Sequence, residues 1–295
     1  MQQVERTAVT TRFPVSILLF IGILAISFSA ILVKWSAAPA SIIASHRLLV
    51  TVIIMSPLLY KFWPEMKKIN GASYIKLMWS GLSLGLHFLL WMSSLRYTSV
   101  ASSTAILTLE PVVVMVGSYF VFRHKTSFSA IMAMLVAILG AMMIGWGDFR
   151  FAGDAWIGDV LSFLSMVAVA IHMILGKSLR THMSAFVYSW WVFLIGGLLL
   201  LIYNLIIGYS IFQYDANEWL LFLLLAIIPT LFGHVLFNWL LKYMSATTVS
   251  MSVLGEPLGA TILAYLLLNE TITWIQAGAG LLLLIGVGLF IKQEK

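Results

Sequence analysis

The 295-residue chain contains no cysteine, and only 9% of its residues are charged. Without cysteine there is no disulfide framework and no thiolate metal site. An average soluble domain is about 25% charged and about 45–50% apolar, whereas this chain is 61% apolar. A water-soluble globule of this size could not hide so much apolar surface. The shortage of charge therefore excludes a cytosolic enzyme, a nucleic-acid binder and a disordered protein. A mean hydropathy of +1.02 makes lipid the solvent. At roughly 20 residues per crossing, the length allows about ten crossings and almost no extramembrane domain.

Ten apolar spans are predicted, over residues 14–35, 40–60, 73–95, 99–121, 127–146, 155–176, 185–207, 217–240, 246–268 and 272–291. The first follows Arg6 and Arg12 like a secretory signal, but its apolar stretch exceeds the usual 7–15 residues of a signal core, so it reads as a membrane helix. The net charge of +6 is explained by membrane-flanking residues. With the N-terminus inside, the inner segments carry Arg6, Arg12, Lys61, Lys67, Lys68, Arg123, Lys125, Lys177, Arg180, Lys242, Lys292 and Lys295. The outer segments carry only Lys34, Arg96 and Arg150, while Arg47 and Lys76 fall within spans. The expected location is the cell membrane, with both termini cytoplasmic. The longer outer loops hold Asp148, Asp154, Asp215 and Glu218, and Trp146, Trp156, Trp219 and Trp274 mark span ends as interfacial aromatics do.

The chain repeats itself at a shift of 146 residues. Leu95-Arg96-Tyr97-Thr98-Ser99 falls on Leu241-Lys242-Tyr243-Met244-Ser245, and Glu110-Pro111 falls on Glu256-Pro257. Tyr119 falls on Tyr265, Leu135 on Leu281 and Gly140 on Gly286. Each half then holds five spans. Because five is odd, equivalent helices of the two halves cross in opposite directions, a recurring build of secondary transporters.

Glu110 and Glu256 fall at the middle of the fourth and ninth spans. A charge at the bilayer centre costs about 2.5–3.5 kcal/mol on insertion scales and points to a cavity or a partner. Each Glu precedes a proline, which removes one helix hydrogen bond and pushes the preceding residue away from helical geometry. Paired breaks at mid-membrane point to one central site. Two readings stand here. Either the carboxyls handle substrate or protons, or each donates to a freed carbonyl and repairs the kink at Pro111 or Pro257.

Arg47 lies about two turns into the second span and does not lose its charge. It either attracts a substrate carboxylate or snorkels to the outer surface. Lys34, ending the first helix, reads as a snorkelling residue. His87, His172 and His234 are single intramembrane histidines. His87 with Trp91, and His234 with Asn238, are one turn apart and share a helix face; each group is a binding candidate or a packing residue. No His/Glu spacing makes a metal site. Ala133, Ala137, Ala141 and Gly145, the Gly81/Gly85 pair, and Gly278, Gly280, Gly286 and Gly288 read as close helix packing. The glycines are not a phosphate loop, since no strand precedes them and no lysine follows at the required spacing.

The repeat and its motifs resemble the drug/metabolite transporter superfamily, specifically EamA-type exporters. The most specific residues are Leu95-Arg96-Tyr97-Thr98-Ser99 through Glu110-Pro111, and Leu241-Lys242-Tyr243 through Glu256-Pro257-Leu258. Asn269-Glu270-Thr271 looks like the family's acidic turn before the last helix, and Ser27, Ser29, Lys34, Pro39 and Arg47 look like its first hairpin. His124 departs from the pattern, standing where the first repeat would carry an acidic turn residue. The second repeat has no arginine matching Arg47, so the substrate-facing sides are chemically unequal. The resemblance implies an all-α polytopic membrane protein, with ten transmembrane helices as two inverted-topology five-helix repeats, over residues 1–147 and 148–295. It implies rocking of helix bundles about a central cavity, expected between helices 1, 3, 4, 6, 8 and 9. The expected activity is export of a small metabolite, an amino acid or related compound, by alternating access with a proton as candidate coupling ion. A passive channel or facilitator for small polar solutes is the alternative. An intramembrane enzyme would need a nucleophile–base pair or metal cluster, and the sequence offers neither. No cofactor is expected. The expected partners are the small-molecule substrate, protons and the lipid bilayer, with no nucleic acid.

Overall fold

The computed structural model describes residues 14–98, 100–145, 154–268 and 272–293. Arg6, Arg12, Ser99, Trp146, Asp148, Arg150, the Asn269-Glu270-Thr271 turn and Lys295 lie outside the described residues. Ten apolar helices or helix pairs follow one another: α1 (Val15–Trp35), α2 (Ala40–Met66), α3 (Gly71–Ser94), α4 (Val100–Leu107 and Glu110–Phe122), α5 (Phe128–Gly145), α6 (Ala155–Leu179), α7 (Ala185–Ile207), α8 (Ala216–Leu240), α9 (Ala246–Val253 and Gly255–Leu268) and α10 (Trp274–Gln293). Among the described residues nine are long and apolar enough to cross a membrane, and α5 is a shorter apolar helix. The chain is an all-α polytopic membrane protein.

The sequence dictates where most helices start. Pro14 and Pro39 precede α1 and α2, positions where a missing N–H costs nothing. Asn70, Ser184, Asp215 and Ser245 each accept a backbone N–H three residues on, capping α3, α7, α8 and α9. Gly208, at φ +82°, ends α7 in the left-handed region, which glycine enters without steric cost. The second helix runs past the expected residue 60, through a 3-10 turn at Ser56–Leu58, to Met66. Its extension exposes Lys61 and packs Leu59 and Phe62 against the core. Lys76, placed within a span by sequence, is exposed and donates to Ser178 Oγ at 2.8 Å near the end of α6. It therefore belongs with the other cations at the basic end of the bundle.

The small residues work mostly as expected. A Cβ on Gly140 would sit 2.5 Å from Leu283 N, and one on Gly286 would sit 2.4 Å from Ala137 N. These repeat-related glycines let α5 and α10 meet backbone to backbone, with Ala133, Ala137 and Ala141 buried between them. On α3, Gly85 does the same against Gly196 of α7. Gly278 and Gly288 do not fit the packing expectation, because a Cβ on either would meet nothing within 4 Å. They lie on the other side of α10 from the close contact.

Two helices are broken as their prolines require. In α4, the N–H of Leu109 bonds back to Ile106 O at 3.1 Å before Glu110 starts the second half. In α9, Leu254 bonds back to Met251 O at 3.3 Å before Glu256. The eighth helix has a different irregularity. Ala226–Val235 is π-helical around Pro229, a form that concentrates at functional sites.

Candidate functional site

A cavity lies where the two helix breaks meet. It is lined from α1 (Ser29), α3 (His87, Phe88, Trp91), α4 (Glu110, Pro111), α6 (His172), α8 (His234, Asn238) and α9 (Ser250, Glu256, Pro257). These are the six helices expected. Its volume is about 60 Å³. At about 10–15 Å³ per water on this measure, it holds a few water molecules. An organic ligand needs a wider site, so a substrate-bound state requires the helices to part.

Glu110 is buried, and its Oε1 accepts the Ser250 hydroxyl at 2.6 Å. The second half of α4 is thus tied to the first half of α9, across the two repeats. The 146-residue shift relates Ser250 to Thr104, which lines the same cavity as Glu256. Ser27 Oγ approaches the backbone oxygen of Glu256 at 3.4 Å, and the Glu256 side chain is half-buried. The two carboxyls lie within electrostatic range of each other, and Glu256 within range of Arg47. The Glu110 carboxyl therefore reaches a neighbouring helix and does more than close its own kink.

Arg47 does not snorkel. It is completely buried, with Nε donating to Thr230 Oγ1 at 2.7 Å and Nη1 to Ser29 Oγ at 2.8 Å. Its guanidinium carbon stands 4.2 Å from the centre of the Phe88 ring, an arrangement that offsets some of the cost of burying the charge. Thr230 sits in the π-helical segment and donates its own hydroxyl to Leu225 O at 2.7 Å, five residues back. The helix irregularity thus supplies the acceptor that holds Arg47. Arg47 is not itself in the cavity wall; Ser29 and Phe88, which are, lie between. Among the described residues its Nη2 has no hydrogen-bond partner, and neither has the buried Nε1 of Trp91. Buried donors without acceptors are costly.

The remaining candidates line the cavity together. His87 Nδ1 lies 2.8 Å from Ser165 Oγ on α6, and its ring is parallel to that of Trp91 with centroids 6.5 Å apart. His234 meets Phe88 edge-on at 5.2 Å. Asn238 donates to Ser189 Oγ on α7 at 3.0 Å. His172, which the sequence left between a binding candidate and a packing residue, also anchors a polar cluster: its Nδ1 is 2.9 Å from Ser80 Oγ, which is 2.6 Å from the Tyr188 hydroxyl. Ser80, Ser250 and Thr230 escaped notice because serine and threonine are ordinary in membrane helices, and only their partners distinguish them.

Above and below the cavity the helices are tied. At the end opposite the basic one, Glu218 accepts from Ser36 Oγ and from the Ala37 N–H at 2.7 Å, and Arg96 donates to Ala38 O at 2.8 Å. Thr98 and Ser102 both donate to Asp159. Beside them, His46 places its two ring nitrogens 2.9 Å from the carbonyls of Ile42 and Ile211, and its ring packs against Trp219 and Phe222. At the basic end, Lys177 donates to the carbonyls of Leu241 and Met244, and Arg180 to those of Asn238 and Met183.

A profile of the EamA-like transporter family matches residues 14–146 and, again, 156–292. The chain is 25% identical to the uncharacterized transporter YetK of Bacillus subtilis, over 87% of this chain and 79% of that protein. It is 23% identical to an uncharacterized transporter of Archaeoglobus fulgidus, over 82% of this chain and 86% of that one. A solved structure, described only as the crystal structure of a protein, superposes with a TM-score of 0.78 over 94% of this chain and 96% of that chain, at 15% identity. That likeness concerns the fold alone.

Proposed function

The chain belongs to the EamA-like transporter family, and from that membership and the cavity we propose that it exports a small metabolite across the cytoplasmic membrane by alternating access. The substrate is an amino acid or a related compound, protons are the coupling ion, and both termini face the cytoplasm. The substrate is carried unchanged, so the protein does no chemistry on it. The observation that carries this reading is the cavity itself. It holds two intramembrane carboxyls from opposite repeats, and behind its Ser29 and Phe88 wall lies a buried arginine whose Nη2 has no hydrogen-bond partner among the described residues. Once the helices part, a substrate carboxylate would reach past Ser29 and Phe88 to Arg47 Nη2 and satisfy Trp91 Nε1, and the glutamates would receive an ammonium group or a proton. Residues of two repeats that cross in opposite senses can exchange partners when the halves rock. The ties at both ends of the bundle are the contacts such rocking would open in turn.

The test is counterflow in proteoliposomes, with unlabelled amino acids inside and one labelled amino acid outside. A carrier gives saturable, transient accumulation. Glu110→Gln and Glu256→Gln should lower it while leaving membrane insertion intact. Arg47→Gln should raise the half-saturating concentration of carboxylate substrates, since a charge-assisted hydrogen bond contributes about 1.5–3 kcal/mol, or roughly tenfold and upward. Full activity in both glutamate variants would overturn their role. Flux without counterflow would mean a passive channel.

A further inference from the structure

A second, wider hollow opens at the basic end of the bundle and has no part in the central cavity. Its volume is about 870 Å³, within the range of about 300–1,000 Å³ that holds sizeable organic ligands. It lies between the first turns of α1, the end of α2, the α6–α7 turn and the last half of α8. One wall faces lipid: Ile21 of α1 is 40% exposed and Phe232 of α8 is 57% exposed. The floor carries Trp239 and Tyr243, with ring centroids 4.4 Å apart, the residue types that settle at a membrane–water interface. The hollow therefore opens both sideways into lipid and downward to the interface.

Its electrostatics are one-sided. Arg180, 2% exposed, donates to the backbone carbonyls of Asn238, Met183 and Trp239. Lys177, near it on α6, donates to the carbonyls of Leu241 and Met244. Lys242 stands exposed on the rim. The acceptors on Asn238 and Trp239 end α8 and supply partial negative charge, and Glu65 is the one carboxylate among the described lining residues, within electrostatic range of Arg180. Its Oε1 accepts the Ser184 N–H at 2.5 Å, and one carboxylate against Arg180, Lys177 and Lys242 leaves this end net positive. An apolar slot open to lipid, with a net excess of positive charge at its interfacial end, complements an amphipathic anion. The repeat motif gives a contrast. Lys242 is the counterpart of Arg96, and Arg96 is engaged by Ala38 O at the far end, whereas Lys242 is presented outward.

We propose that this hollow is a binding site for an anionic phospholipid of the leaflet at the basic end. The phosphate would sit by Lys242, in the field of Arg180, and an acyl chain would lie along Ile21, Phe232 and Val235. Basic pockets between transmembrane helices recognise lipid headgroups in this way. The site does not rest on the proposed transport substrate, and a failure of either leaves the other standing.

The test uses the full chain, purified in mild detergent and offered equimolar phosphatidylglycerol and phosphatidylcholine, with bound lipid counted by native mass spectrometry. One phosphatidylglycerol per chain should be retained in preference to phosphatidylcholine. Lys242→Gln should weaken its retention about fivefold, the effect of one interfacial cation. Lys242→Glu should weaken it further, and Lys242→Arg should restore it. Because Lys242 is exposed, these variants leave the packing intact. Equal retention of the two lipids would overturn the proposal, as would undiminished phosphatidylglycerol on Lys242→Glu. Displacement of the lipid by soluble glycerol 3-phosphate at the same concentration would make the hollow a site for a free anion instead.

Discussion

The bond between Ser250 and Glu110 separates a structural carboxyl from a working one. Ser250→Ala removes the hydroxyl that Glu110 accepts at 2.6 Å and leaves a buried carboxyl one donor short. Interhelical hydrogen bonds in membrane proteins contribute about 0.6 kcal/mol on average and about 1.7 at most. The length of this one and the burial of its acceptor place it toward the upper figure, so Ser250→Ala should cost about 1–1.7 kcal/mol. Glu110→Gln is a different perturbation. Its amide oxygen can still accept from Ser250, so the cost in stability should be only a few tenths of a kcal/mol, the loss of charge assistance being small when the partner remains. If Glu110 only ties α4 to α9, activity should follow stability, and Ser250→Ala should be the worse variant. If Glu110 binds substrate or a proton, Glu110→Gln should lose most transport at near-normal stability, with Ser250→Ala showing the reverse. The two observables are apparent unfolding temperature at one scan rate and counterflow in proteoliposomes. A double-mutant cycle that pairs Ser250→Ala with Glu110→Ala, which does remove the acceptor, should also show coupling of at least about 0.5 kcal/mol between the positions. Strict additivity would refute the Ser250–Glu110 bond, and transport loss in proportion to stability loss across the variants would refute the assignment of Glu110 to the transport cycle.

Two further outcomes follow from packing and topology. Gly286→Ala and Gly288→Ala should differ in sign although only two residues apart. The first drives a Cβ to 2.4 Å from Ala137 N and should destabilise by about 1–3 kcal/mol as overpacking; the second meets open space and should gain up to about 1 kcal/mol of helix propensity. Equal melting of both would refute the close α5–α10 contact. The cysteine-free chain also permits topology labelling in its natural background. In intact cells an impermeant maleimide should label Ser210→Cys, in the exposed α7–α8 loop, and spare Lys125→Cys at the basic end. The opposite pattern would invert the assigned orientation.

Much of this protein is legible in its residues because lipid imposes simple rules. An apolar run of roughly 20 residues becomes a crossing helix, so the ten spans were readable to within a few residues except at the end of α2. There Lys61 breaks the hydropathy, while the helix continues to Met66. The Glu-Pro pairs announced the broken helices, since a missing N–H acts locally. The π-helical turn of α8 was not legible. Pro229 alone does not distinguish a kink from a π turn, and the form is held by contacts from another helix, including Thr51 Oγ1 to Ala226 O at 3.3 Å.

Residue types and their spacing determined the class, the number of helices, the duplication and a short list of intramembrane polar groups, because each of these depends on local chemistry or on period. Which of those groups meet was decided by tertiary packing. Glu110 finds Ser250, a residue 140 positions away. Arg47, which sequence left between the surface and the substrate, is held inside by Ser29 and Thr230 from helices far apart in the chain. A side chain's burial and its partner depend on the relative rotation of packed helices, and no single span encodes that rotation.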